Sequence, residues 1–227
     1  MVKVIKDNVK KVLDNIAESA IKSGRKPEDV TLVAVTKTVS AKEANEVLDA
    51  GVSTLGENRV QSLLDKYDVL GNKPDWHLIG HLQTNKVKYI ADKVSLIHSV
   101  ESLKLAEEIN RKFCDAGRIA EILVQVNVSG EESKFGITPS DTFSLIEEIS
   151  CLQSVRVKGL MTMAPLIATP DECRKYFYDL KKLSEEIKDK KYQNVDMRHL
   201  SMGMSGDYKE AILEGATIVR VGSALFN

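Results

Sequence analysis

Cysteine is scarce in this 227-residue chain: Cys114, Cys151 and Cys173 are scattered and odd in number. No Cys-x-x-Cys pair occurs, which argues against a disulfide framework or a cysteine zinc site and fits a reducing compartment. An excess of one charge is lacking too. The 32 basic residues stand against 33 acidic ones for a net charge of −1, with no basic stripe, so neither nucleic acid nor an anionic membrane is an expected partner. No apolar run is long enough to span a bilayer, and Met1-Val-Lys-Val-Ile-Lys-Asp7 has neither the apolar core nor the cleavage site of a secretory leader. A cytoplasmic location is expected. With no linker or low-complexity tract, a single domain over residues 1–227 is expected, long enough to bury a core without staples.

What is present is a regular alternation of strand-like and helix-like segments. Residues 2–23 read as an amphipathic helix, with Val2, Ile5, Val9, Val12, Leu13, Ile16 and Ala20 at helical spacing and Gly24 and Pro27 as its stop. Strands are expected at 31–37, 54–57, 76–80, 94–99, 119–128, 155–161, 196–201 and 217–221. The intervening helices include one capped by Ser40, one from 81 to 91, one begun by Ser140 or Asp141, and one over 207–214. Such an alternation closes most simply into a single (β/α)8 TIM barrel with no second domain. An open doubly wound sheet normally has fewer strands and often a Gly-rich first turn, absent here after the first strand. No eighth helix is expected after the last strand, so the additional N-terminal helix is expected to cover it.

Lys37 is the most informative residue. Thr31-Leu-Val-Ala-Val-Thr-Lys37 has the pattern of a short strand buried on both faces. A lysine ending it puts an amine at the C-terminal mouth of a parallel sheet, where α/β folds keep their chemistry. Desolvation there would disfavour the charged form and prepare a Schiff-base nucleophile. By position alone the commoner outcome is a lysine that snorkels into solvent; the rest of the chain reverses that order.

The other strand ends carry Gly56-Glu57-Asn58, Gly80-His81, Asn127-Val-Ser129-Gly130, Met161-Thr162, Ser201-Met-Gly-Met-Ser205-Gly206 and Arg220-Val-Gly222-Ser223. The loops after strands seven and eight are the recurrent phosphate site of TIM barrels. Ser205 and Ser223 offer hydroxyls, and Gly206 and Gly222 let phosphate oxygens approach the backbone. The same residues also read as a helix N-cap at Ser205 and turn punctuation at Gly222. Arg220 lies among Ile218, Val219 and Val221, where a charge needs a partner: a structural ion pair, or a heteroaromatic nitrogen facing the guanidinium. His77 and His81 span a strand end, so the helix-face spacing of metal ligands does not apply. His98 and His199 sit at strand ends with no visible partner, and Glu57 either orients a neighbour or pairs with Arg59.

Ala34-Val-Thr-Lys37, Gly56-Glu-Asn58, Trp76-His-Leu-Ile-Gly-His-Leu-Gln-Thr-Asn-Lys86 and Gln125-Val-Asn-Val-Ser-Gly-Glu131 open a longer pattern. Gly159-Leu-Met-Thr-Met-Ala-Pro165, Leu200-Ser-Met-Gly-Met-Ser-Gly-Asp207 and Val219-Arg-Val-Gly-Ser-Ala-Leu-Phe226 complete it. In that order the motifs resemble the pyridoxal-phosphate homeostasis protein family over nearly the whole chain. The resemblance implies a fold-type III barrel, related to that of alanine racemase, holding pyridoxal 5′-phosphate (PLP) as a Schiff base on Lys37. It implies that Ser205, Gly206, Gly222 and Ser223 hold the phosphate, that Arg220 faces the pyridine nitrogen, and that Asn58 and His81 border the ring. Ser223 stands where a threonine is common, which keeps the hydroxyl, and the chain ends at Phe226-Asn227 without the expected glycine and short tail.

Arginine does not give up its proton, so a pyridine nitrogen beside Arg220 stays unprotonated and the cofactor is a weaker electron sink than one paired with an aspartate. A racemase also needs a second acid/base on the opposite face of the substrate carbon, and no further domain is expected to supply it. The implied function is therefore storage or delivery of PLP by a monomer, with PLP-dependent apoenzymes as recipients, and not enzymatic turnover. An amino-acid racemase or decarboxylase of the same barrel type is the alternative, and a Schiff-base aldolase acting on a phosphorylated sugar is a third reading.

Overall fold

The structure, a computed structural model, describes residues 2–131, 134–165 and 167–227. Its strands are β1 (Thr31–Val35), β2 (Thr54–Glu57), β3 (Asp75–Leu78), β4 (Leu96–Val100), β5 (Ala120–Gln125), β6 (Val155–Met161), β7 (Val195–Ser201) and β8 (Ile218–Val221). They pair in parallel in sequence order, and β1 bonds both β2 and β8, closing the barrel. Helix α1 (Val2–Lys22) precedes the barrel. The outer layer continues with α2 (Ala41–Asp49), α3 (Val60–Leu70), α4 (Leu103–Asp115), α5 (Pro139–Ser150), α6 (Pro170–Asp189), α7 (Tyr208–Leu213) and α8 (Ser223–Phe226). Short β-branched runs make the strands, and capping residues start the helices: the Ser40–Glu43 and Thr169–Glu172 capping boxes open α2 and α6. No described helix is long and apolar enough to cross a membrane.

Several boundaries differ from the sequence reading. The expected helix over 81–91 is a 3-10 segment, Thr84–Tyr89, whose N-cap Gln83 makes no side-chain cap and whose Thr84 and Val87 are β-branched. Helix α5 starts earlier, at Pro139, because Thr138 accepts the Asp141 amide and proline is pre-set for the first helical position. Strand β5 stops at Gln125, after which Asn127 donates to the Ile137 carbonyl instead of continuing along β6. An eighth helix does exist: α8, four residues long, follows β8 directly.

Helix α1 buries Ile5, Val9, Val12, Ile16 and Ala20 along one stripe and leaves Leu13 38% exposed, so that member of the expected run faces outward. It packs against α2, α7 and α8. Asn8 fixes it by donating to the carbonyls of Leu225 and Asn227 at 3.2 and 3.0 Å. The N-terminal helix and α8 thus share the cover of the seam where β8 meets β1.

Two apolar sets result. The larger lies between strands and helices; the smaller, Val33, Leu96, Leu123, Met161 and Ile218, fills the barrel interior. At β6 the register with both neighbours skips Lys158. That bulged lysine points to Asp196 at 2.9 Å, and Gly159 beside it takes φ +151° with its α-carbon against the His199 carbonyl. Gly159→Ala would drive a methyl into that carbonyl and also force a side chain onto positive φ. We expect it to cost about 3 kcal/mol or more, read as a lower urea midpoint at unchanged slope.

Candidate functional site

The C-terminal strand ends surround a cavity of about 790 Å³, within the usual range for small-molecule sites. Lys37, Asn58, Ser205, Gly206, Arg220, Gly222 and Ser223 all line it. His81 does not. Its half-exposed ring stacks on Phe135 at 4.9 Å, and its Nδ1 lies 3.2 Å from Glu101 Oε1. Glu101 Oε2 accepts the Gly136 amide at 2.7 Å, so His81 and Glu101 together pin the β5–α5 loop beside the mouth.

Lys37 sits two residues beyond the end of β1 and is exposed. The desolvation expected of it is therefore missing, because the strand ends at Val35 and the chain turns outward before the lysine. The backbone next to it is nonetheless held. Buried Thr36 donates to Glu57 Oε1 at 2.6 Å, and Lys66 of α3 donates to the same oxygen at 2.7 Å. Glu57 thus orients Thr36 and pairs with Lys66, not with Arg59. Asn58, next along, lies half-buried with its backbone against Gly80, where any β-carbon would collide with the Asn58 carbonyl.

The polar end of the cavity is built from two loops. Ser205 does not cap α7; Asp207 holds the N-cap position without a side-chain cap, its Oδ1 instead accepting the Met204 amide at 2.5 Å. Ser205 Oγ instead accepts the amides of Gly222 and Ala224 at 3.2 and 3.4 Å, which ties the β7–α7 loop to the segment after β8. A β-carbon at Gly206 would meet open space, whereas one at Gly222 would press on Val35 at 3.3 Å.

Arg220 closes the floor and is only 4% exposed. One Nη donates to Ser201 Oγ at 2.5 Å and the other to the Thr162 carbonyl at 2.9 Å. Among the described residues no carboxylate lies within ion-pairing distance of it. Burial pushes its pKa down to about 10, and the more distant Asp207 opposes that shift. Behind Ser201 stands His98, in the middle of β4 and fully buried, with Nδ1 2.9 Å from Ser201 Oγ and Nε2 3.0 Å from His77 Nδ1. His98 therefore has two partners where the sequence shows none. Burial, then His77 and Arg220, hold it well below the ordinary histidine range, so it is neutral at physiological pH.

The family model described as the alanine racemase N-terminal domain matches residues 8–227. The pyridoxal phosphate homeostasis protein of Aquifex aeolicus is 42% identical over 221 residues, 97% of this chain and 96% of that one. A protein of unknown function from Bifidobacterium adolescentis superposes with a TM-score of 0.95 at 37% identity, covering 99% of this chain and 95% of its own. PipY of Synechococcus elongatus with PLP bound gives 0.83 at 36% identity, covering 93% of this chain and all of its own (100%). The chain belongs to the pyridoxal phosphate homeostasis protein family.

Cys173 of α6, Glu210 of α7 and Phe226 of α8 also line the cavity and were missed in the sequence, because they arrive from helices and not from strand ends. Glu210 follows the Ser201–Asp207 motif closely enough to be suspected; nothing in the sequence marks Cys173. Burial, followed by the carboxylates of Asp207, Glu210 and Glu172, pushes the Cys173 thiol up, which keeps it protonated at neutral pH.

Two outcomes follow from this geometry. Lys66→Ala strands the buried Glu57 carboxylate, whose Oε2 already lacks a partner, and should cost about 3–5 kcal/mol in denaturant unfolding. The second concerns pH. Because folded His98 titrates below its ordinary 6.5, the unfolded chain takes up a proton that the native state refuses as pH falls through that value. Stability then drops with acidification, and His98→Gln should remove up to about 1.4 kcal/mol per pH unit of that slope between pH 6.5 and 5.

Proposed function

We propose that the chain holds PLP in the 790 Å³ cavity, bound as a Schiff base to Lys37, and stores or delivers it. Arg220 carries the reading. Of the five N–H donors of a guanidinium, Ser201 and Thr162 engage two, and the group borders the cavity with no carboxylate paired to it among the described residues. Donors left over in a buried wall match a neutral heteroaromatic acceptor such as a pyridine nitrogen. At the far end, the amides of Gly206 and Ser223 have no acceptor among the described residues, and the hydroxyls of Ser205 and Ser223 stand beside them. That is a set of donors for phosphate oxygens. Asn58 lines the wall between these groups and Lys37.

When bound, PLP supplies an aldehyde for a lysine amine and a ring that accepts electrons. Arg220 keeps the ring nitrogen unprotonated and so limits that second capacity. The lining includes neither histidine nor tyrosine among the described residues; besides Lys37 and Arg220 its titratable side chains are Cys173, Asp207 and Glu210, of which Asp207 is engaged by the Met204 amide and the Cys173 thiol is held protonated. The arginine favours storage over turnover, as does the homeostasis role named for the Aquifex relative. We take PLP-dependent apoenzymes as recipients, a monomer as the working state and the cytoplasm as the location.

The purified protein should be yellow, and borohydride reduction followed by peptide mapping should place the label on Lys37. Lys37→Ala should lose the reducible link while the phosphate end still retains PLP weakly. A full reducible adduct in that variant would assign the link to another lysine. Multiple-turnover loss of chirality or carboxylate from an amino acid would favour the racemase or decarboxylase alternative. A colourless protein that takes up no added PLP would reopen the aldolase reading.

A further inference from the structure

We propose that Asp75, His77 and His98 are positioning residues for Arg220, joined to it through Ser201 in a hydrogen-bond chain of one direction along the barrel interior. The chain begins at Asp75, the exposed first residue of β3, whose Oδ2 lies 3.4 Å from His77 Nε2. It continues from His77 Nδ1 to His98 Nε2 at 3.0 Å, from His98 Nδ1 to Ser201 Oγ at 2.9 Å, and ends at the Arg220 guanidinium. The first contact is long and weak as a hydrogen bond; the inner ones are short. His77, His98, Ser201 and Arg220 are all buried, next to Leu96, Met161 and Ile218, so water does not compete for their protons.

The direction follows from chemistry. A guanidinium only donates, so Ser201 Oγ accepts from Arg220; with Asp75 at the other end able only to accept, the direction we infer has Ser201 turning its own proton to His98 Nδ1. A neutral His98 that accepts at Nδ1 carries its hydrogen on Nε2 and donates it to His77 Nδ1. His77 then carries its hydrogen on Nε2, facing a carboxylate that accepts only; that hydrogen bond holds Asp75 below the usual carboxylate range. Every proton points from Arg220 toward Asp75, from the cationic end to the anionic one. The Ser201 oxygen is thereby polarised as an acceptor, which fixes one Nη of Arg220 while the Thr162 carbonyl holds the other, leaving the unengaged N–H groups for the cavity.

The consequence for ligand binding rests on the PLP reading above, whereas the proton positions do not, so the two are tested separately. In protein labelled with ¹⁵N at histidine and free of cofactor, NMR should show His98 neutral with its hydrogen on Nε2, and the hydrogen of His77 on Nε2 with Nδ1 bare. A hydrogen on Nδ1 of either ring would overturn the chain. Equilibrium binding then compares PLP with its analogue carrying carbon in place of the ring nitrogen. Asp75→Ala, at an exposed site, should weaken PLP about threefold to tenfold, the scale of one hydrogen bond, and leave the carbon analogue unchanged; Asp75→Glu should restore PLP binding. Equal loss for both ligands, or no loss for either, would overturn the role at Arg220. Wild-type protein that takes up neither ligand would overturn the PLP reading, while the NMR result would still decide the chain.

Discussion

Arg220 puts a permanent cation inside a barrel whose other inner residues are largely apolar, and much of the surrounding architecture answers to that fact. Burial lowers its pKa to about 10, which still leaves it charged at neutral pH. A buried cation is normally balanced by a carboxylate in contact; here neutral groups do the work, the Thr162 carbonyl at the end of β6 and the Ser201 hydroxyl at the end of β7. A contacting carboxylate would have had to be desolvated as well, and it would have taken the donors that border the cavity. On the proposed reading, the absence of that ion pair among the described residues leaves donors for a ligand.

The same choice explains the two histidines beneath it. A serine that accepts from arginine must place its own proton somewhere, and in an apolar interior that requires an acceptor. His98 supplies one only while neutral, and its burial keeps it so. His77 does for His98 what His98 does for Ser201. The polar column and the apolar ring of Val33, Leu96, Leu123, Met161 and Ile218 therefore share the barrel interior, one filling volume and the other orienting a charge.

The barrel itself was legible because each strand is a short apolar run closed by a turn, and period and length alone distinguish it from the helices around it. The cavity wall was legible for a related reason. Once the strands close into a barrel their C-terminal ends must meet, so Lys37, Asn58, Ser205, Arg220 and Gly222 fall on one face whatever the details. The partners of His98 were not legible: Ser201 is 103 residues away, and their meeting depends on the register of strands across the barrel. α8 escaped notice because four residues are too few to show a period. The surroundings of Lys37 differ from the expectation by two residues of strand length, enough to move it off the sheet to an exposed place on the cavity wall.

That exposure bears on what the site is for. Lys37 is exposed, yet Thr36 beside it is locked by Glu57, which is itself held by Lys66. Among the described residues the amine has no polar partner, while the chain beside it is fixed. An enzyme that turns over many substrates gains from a lysine desolvated into readiness; a carrier must instead return to a stable amine each time its cargo leaves. If the link to Lys37 proposed above forms, a solvated lysine on an anchored stem suits that return. On the proposed reading, grip then comes from the Arg220 and phosphate ends of the cavity, and reversibility comes from the lysine.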